Sequence, residues 1–104
     1  MQQFEIWWAK LPKPAGNRPV VLLSRNKSIG VREFIIVAQI TRTIRNIPTE
    51  VFLGPTEGLP KKCVANLDVI NTIPKSLLTQ RIAILSAGKQ REVQDALQFA
   101  FDLE

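Results

Sequence analysis

Apolar and polar positions alternate along the first third of this chain in short runs, the period of half-buried strands rather than of helices. Residues 4–11 place Phe4, Ile6 and Trp8 on one face, with Lys10 on the same face where the strand would leave the core. Trp7 and Trp8 fall on opposite faces, so one is expected in the core and the other exposed or in a subunit contact. Pro12 and Pro14 end the strand, and Ala15-Gly16-Asn17 forms a loop. Residues 20–23 are apolar throughout and read as a second strand buried on both faces. Pro19 fixes φ and lacks a backbone donor, so it suits a strand's first residue or an edge, which puts Arg18 at the mouth of that strand. Residues 26–30 read as a turn, and a third strand opens at Phe34 and runs to about Thr41.

The second half continues in the same way. Residues 42–48 form a basic loop, and residues 49–53 a fourth strand. Gly54-Pro55 and Gly58-Leu59-Pro60 are turn signals. Residues 62–66 and 69–72 read as two short strands or one bent one, Pro74 opens a helical turn through Leu78, and residues 81–85 form a last strand. The period then changes. Ser86 is a cap for the one strong helix, in which Val93, Ala96, Leu97, Ala100 and Phe101 share a face, with Gly88 weakening its first turn. Five to seven short strands followed by a helix predict one mainly β (α+β) domain over residues 1–104: a strongly bent sheet or barrel with the helix packed on one side.

Length and composition narrow the picture. The chain has 104 residues and 45% hydrophobic positions, enough for a real core and small enough to gain from oligomerisation. Its apolar runs are too short to span a bilayer and its start lacks the pattern of a secretory leader, so a cytoplasmic protein is expected. A single cysteine excludes an internal disulfide, and the absence of histidine removes the common zinc ligands. Cys63 is expected as a small buried strand residue, since a nucleophilic thiol needs a base that histidine cannot supply here. The net charge of +5 is unevenly spread: residues 1–62 carry ten basic and four acidic groups, residues 63–104 four and five. A basic half on a small domain points to a polyanionic partner, most often nucleic acid.

The catalytic inventory is short. The sequence has no P-loop or dinucleotide fingerprint, and its acids are scattered rather than clustered for two-metal hydrolysis, so no cofactor or metal is expected. Arginine, hydroxyls and isolated acids remain. They suit attack of a ribose 2′-hydroxyl on the adjacent phosphate, because the substrate supplies the nucleophile and the protein orients the chain and stabilises the phosphorane. Arginine's fixed donor fork matches phosphate geometry. If strands two and three are neighbours, Arg18 and Thr41 reach one pocket; alternatively Arg18 makes a surface ion pair and Thr41 is an ordinary strand-end hydroxyl.

The ordered set Glu5-Ile6-Trp7-Trp8, Pro14-Ala15-Gly16-Asn17-Arg18-Pro19-Val20-Val21, Ile40-Thr41, Pro48-Thr49-Glu50-Val51 and Leu67-Asp68-Val69-Ile70-Asn71-Thr72-Ile73 resembles the MazF/PemK-like toxins, the mRNA interferases of bacterial type II toxin–antitoxin systems. The resemblance runs nearly end to end. It implies an SH3-like barrel with a C-terminal helix and a short accessory helix, and a homodimer. It also implies metal-independent cleavage of single-stranded RNA to 2′,3′-cyclic phosphate and 5′-hydroxyl ends, and a cognate antitoxin whose acidic tail covers the RNA path. The family's catalytic arginine and threonine fall on Arg18 and Thr41, and Asp68 on the acid expected to contact RNA or orient its neighbours. Arg18 would then stabilise the phosphorane and serve as acid, with Thr41 orienting the phosphate. An arginine resists deprotonation in proteins, so Arg18 is not assigned as the base.

The chain also departs from the family pattern. Phe4 stands where a glycine is common, the loop before Arg18 is short, Lys13 replaces a frequent glutamate, and Asn17 and Asn71 take positions that are often histidine and arginine. The expected RNA-binding and supporting set is Lys13, Asn17, Ser24, Arg25, Lys27, Arg42 and Arg45. Two alternatives stay open at this point. One is a gyrase poison of the CcdB-like kind, which shares the barrel but ends in Trp-Gly-Ile, where this chain has Phe101-Asp102-Leu103-Glu104. The other is a non-catalytic RNA-binding module.

Overall fold

The computed structural model describes residues 1–103. Six antiparallel strands form one sheet: β1 (Glu5–Lys10), β2 (Asn17–Leu22), β3 (Phe34–Thr41), β4 (Glu50–Leu53), β5 (Cys63–Pro74) and β6 (Leu78–Ile84). Their order across the sheet is β4-β5-β3-β2-β1-β6. Two helices complete the domain, α1 (Asn26–Val31) after β2 and α2 (Ala87–Ala100) at the end, with short 3-10 turns at Pro55–Glu57 and Lys75–Leu77. The mainly β architecture with a terminal helix is the expected one.

The sheet curls because β5 carries extra residues. Ala38 of β3 faces Ile70 and its neighbour Gln39 faces Asn66, so residues 67–69 of β5 bulge out of the pairing. A bulge bends its strand and raises the local twist, and β5 thereby also serves β4, with Glu50 opposite Asn66. The two edges approach through the turn after β4. Gly58 lies there at φ +83, in the left-handed region that only glycine enters without strain, and a Cβ on it would come within 3.2 Å of the Ile82 side chain.

Both faces of the curled sheet are buried. One core, containing Ile6, Val21, Ala38, Val51 and Leu67, lies under Val93 and Ala96 of α2. The other, containing Ala9, Val20, Leu22, Ile35 and Val37, receives Ile29 from α1. Ser86 caps α2 by accepting from the Lys89 amide at 3.2 Å. Leu97 packs against the first core, but Phe101, the last residue of the expected apolar face, is 56% exposed because the helix ends at Ala100.

Three local readings of the sequence are corrected. Residues 26–30 lie in helix α1 rather than a turn; burial of Ile29 and donation from Lys75 Nζ to its carbonyl supply stabilisation that Asn26 and Gly30 do not. Strand β2 begins at Asn17, so Arg18 lies inside it, opposite Ala9. Neither tryptophan is fully buried: Trp7 packs beside the second core and Trp8 is half-buried.

Phe4 adopts φ +70. The left-handed region costs a side-chain-bearing residue about 1–2 kcal/mol, which the buried phenyl ring offsets by about 2–3 kcal/mol. Its backbone is fixed on both sides: the Phe4 amide donates to the Leu22 carbonyl at 2.7 Å and its carbonyl accepts from Leu85 at 3.0 Å.

Candidate functional site

Strands β2 and β3 pair only from Val20–Gln39 to Leu22–Val37. Beyond that point Arg18 and Pro19 stay with Ala9 and Trp8 of β1, while Ile40 and Thr41 follow Ala65 and Val64 of β5. The divergence opens a cavity of about 400 Å³ between the two strands. Pro19 is tolerated there because this stretch of β2 has a neighbour on one side only.

Asn17, Arg18, Thr41 and Arg42 all line this cavity, together with Trp8, Thr43, Lys61 and Cys63. Arg18 is half-buried, and its Nη1 donates to Gln39 Oε1 at 3.2 Å. Thr41 Oγ1 accepts from the Thr43 amide at 3.2 Å, which folds the following loop across the strand end and leaves the hydroxyl proton free to be donated. A half-buried guanidinium, a free hydroxyl and the exposed Arg42 and Lys61 facing one hollow can take an anionic group and hold it in a fixed orientation.

The loop between β3 and β4 is tied down from beneath. Glu50, itself buried, accepts from the backbone amides of Arg45 at 2.9 Å and Asn46 at 2.8 Å. Asn46 sits at φ +57, a conformation asparagine tolerates better than most residues. Asp68 lies in the β5 bulge, where its Oδ2 accepts from Thr49 Oγ1 at 2.6 Å at the base of the same loop.

Cys63 is 4% exposed at the cavity wall. Burial pushes its thiol up, and the nearby Glu57 charge adds to this against a smaller opposing effect of Arg42. A protonated, buried thiol is a wall residue, as the sequence implied. Among the described residues no group of three or more His, Cys, Asp or Glu side chains is placed to hold a metal ion.

The remaining candidates lie elsewhere. Ser24 and Arg25 line a second hollow of about 620 Å³ with Val31, Arg32, Phe34 and Ile36. Ser24 is buried there, and its Oγ accepts from the Ile36 amide at 2.8 Å. Lys13, Lys27, Arg45 and Asp68 line neither hollow. Conversely, the sequence reading did not assign Lys61 to the site. Its signal was the Lys61-Lys62 pair directly after Gly58-Leu59-Pro60, but only the curl of the sheet brings that turn to Thr41.

Fold and cavity together define a class: a small curled-sheet domain with an arginine-and-hydroxyl cleft at a splayed strand pair. Within that class the relationship is specific. The profile of the "PemK-like, MazF-like toxin of type II toxin-antitoxin system" family matches residues 2–101. A Mycobacterium tuberculosis protein named probable endoribonuclease MazF5 is 34% identical over 99 residues, covering 94% of this chain and 90% of the relative. Endoribonuclease MazF3 of the same organism is 34% identical over 87 residues, covering 84% of each. The structure of Mycobacterium tuberculosis toxin MazF-mt6 superposes with a TM-score of 0.89 at 33% identity, covering 96% of this chain and 98% of that one. The chain belongs to the PemK-like, MazF-like toxin family of type II toxin–antitoxin systems.

Proposed function

We propose that this protein acts as a single-domain endoribonuclease toxin that cuts single-stranded RNA at the cavity between β2 and β3. The observation that carries the reading is the meeting of Arg18 and Thr41 on one cavity, opened by strands that are neighbours and then part. At about 400 Å³ the cavity is within the roughly 300–1,000 Å³ range of small-ligand sites.

In the proposed step the ribose 2′-oxygen attacks the adjacent phosphorus as the bond to the 5′-oxygen breaks. The products are a 2′,3′-cyclic phosphate and a 5′-hydroxyl. The attacking hydroxyl loses its proton to solvent water and the departing 5′-oxygen takes one from solvent water, so the step is proton-neutral. Arg18 donates hydrogen bonds to the equatorial oxygens, where negative charge builds, and stays protonated throughout. Thr41 orients the phosphate through its free hydroxyl proton.

Asn17, Arg42 and Lys61 extend the RNA path along the cavity walls. Lys13, Arg25, Lys27 and Arg45 act through their field, so binding falls with salt at a slope of about 0.7 per neutralised phosphate. Asp68 supports the β3–β4 loop through Thr49.

The proposed partners are a second copy of the chain and a cognate antitoxin with an acidic tail that covers the cavity, in the bacterial cytoplasm. The family supports the antitoxin, and the +5 charge supports an acidic one. Exposed Phe99, Phe101 and Leu103 around the end of α2 support self-association. No helix among the described residues is long and apolar enough to cross a membrane.

The test is incubation of the purified protein with a long single-stranded RNA in EDTA, followed by mapping of the product ends. Discrete cuts with cyclic-phosphate ends are expected. Intact RNA in the presence of folded protein overturns the reading, and gyrase inhibition then becomes the next assay.

A further inference from the structure

Gln39 occupies the fork at which β2 and β3 part. It is the last β3 residue still paired with β2, opposite Val20, and the residues after it line the cavity. Its half-buried side chain spans to both neighbours. Oε1 accepts from Arg18 Nη1 at 3.2 Å on β2, and Nε2 donates to Asn71 Oδ1 at 2.8 Å on β5. The two bonds make a directed chain across three strands, from Arg18 through Gln39 to Asn71.

We propose that Gln39 is a positioning residue for Arg18, held in its working amide orientation by Asn71; this rests on the ribonuclease reading above. A carboxamide can present its oxygen or its nitrogen to a neighbour, and the two faces have opposite polarity. With Asn71 Oδ1 taking the Nε2 donor, the carbonyl oxygen is left to face the guanidinium. One Nη1 proton is thereby anchored, which fixes the plane of the donor fork while its remaining N–H groups stay available to phosphate oxygens.

The neutrality of the anchor matters as much as its geometry. A carboxylate in its place would hold the guanidinium equally well and cancel much of the charge needed to stabilise the phosphorane. A glutamine restrains the arginine without neutralising it. Arg18 makes no ion pair among the described residues, where the two pairs are Arg81–Glu5 and Lys89–Glu92.

The predicted signature is a loss in kcat rather than in KM, because an unanchored arginine still attracts RNA but samples unproductive orientations. Gln39→Leu is expected to lower kcat about tenfold with KM changed less than about twofold. Asn71→Ala, at an exposed position where folding is not at stake, is expected to lower kcat about threefold through loss of amide orientation alone. A second readout does not depend on cleavage. In ¹⁵N NMR an Arg18 Nη signal, identified by its loss in Arg18→Lys, should show slowed exchange in the wild type and lose it in Gln39→Leu.

The proposal is overturned by wild-type kcat in both variants, by a loss confined to KM, or by an Arg18 signal that ignores Gln39. A wild type that cuts no RNA overturns the ribonuclease reading and the catalytic role with it, while the NMR readout still reports separately on the Arg18–Gln39 contact.

Discussion

Strands β2 and β3 are closed at one end and open at the other, and the same residue types do different work at the two ends. At the closed end Leu23 donates to the Ile36 carbonyl at 2.8 Å and Ser24 Oγ takes over the Ile36 amide at 2.8 Å. A buried hydroxyl there extends the ladder past the last paired residue, and Arg25 is exposed at the edge of the second hollow. At the open end nothing continues the ladder. Arg18 and Thr41 flank the gap, half-buried, with donors to spare. An arginine beside a hydroxyl is therefore no site by itself. In the proposed site the hydroxyl of Thr41 takes only a loop amide, from Thr43, and keeps its proton for a ligand.

The largest effect should come from removing the arginine at each end. Arg18→Ala is expected to lower the cleavage rate about 10²–10³-fold, the size of losing one preorganised donor to a developing oxyanion. Its urea midpoint should stay near the wild type, because the one bond it loses is to Gln39. Arg25→Ala should cost no more than about threefold, and only through the salt-dependent part of binding. Equal losses at Arg18 and Arg25 would erase the distinction between the ends.

The hydroxyls sharpen the same contrast. Thr41→Val keeps shape and removes the donor, so a loss of about 10–10²-fold in kcat is expected, a hydrogen bond to a charged acceptor being worth about 1.5–3 kcal/mol. Single-turnover cleavage of a short RNA containing the cut site measures it. A rate unchanged in Thr41→Val would leave Arg18 as the sole contributor from the open end.

How much of this the sequence revealed differs between the ends in an instructive way. β3 was legible from Phe34 to about Thr41, because its apolar run is bounded by a charged turn before it and a basic loop after it. α2 was legible from its cap and its apolar face. Arg18 and Thr41 were singled out by the resemblance and by their places beside strands. The splay that brings them to one cavity was not visible, since it follows from β2 pairing with β1 beyond the point where β3 turns to β5. Ser24 was grouped with the RNA-binding and supporting residues, and sequence spacing does not tell which backbone amide a serine will serve. Helix α1 was missed for a related reason: six residues with an asparagine and a glycine carry little intrinsic helicity, and tertiary burial of Ile29 decides the matter.

At the closed end the expected losses are in stability. Ser24→Ala leaves the Ile36 amide, beside the second hollow, without its protein acceptor, and loss of one such hydrogen bond costs about 1 kcal/mol. Urea denaturation should show that loss, with faster hydrogen exchange at Ile36 and a cleavage rate within about twofold of the wild type. Stability intact with cleavage lost would move Ser24 to the other side of the comparison.

The smallest effect belongs to the other buried polar group on this side of the sheet. Glu5 neighbours Ile6, which faces Val21, and its carboxylate accepts from the Gln2 amide at 2.9 Å, Trp7 Nε1 at 3.0 Å and Arg81 Nε at 2.8 Å. Burial pushes the carboxyl pKa up, but these hydrogen bonds and the Arg81 charge outweigh it and hold the group below its ordinary value. A lowered folded-state pKa means that the unfolded chain binds the proton more readily. The contribution to stability is therefore complete above the unfolded carboxyl's value of about 4.3, and it is lost as pH falls through the lower folded value. Glu5→Gln keeps acceptors for Gln2 and Trp7 and gives up the charge, so a loss of about 1 kcal/mol at neutral pH is expected, fading in acid. Denaturation midpoints from pH 7 to pH 3 measure it: the wild-type and variant curves should converge at the acid end. Parallel curves would mean that Glu5 packs without titrating, and that the closed end is held by Ser24 and the two cores alone.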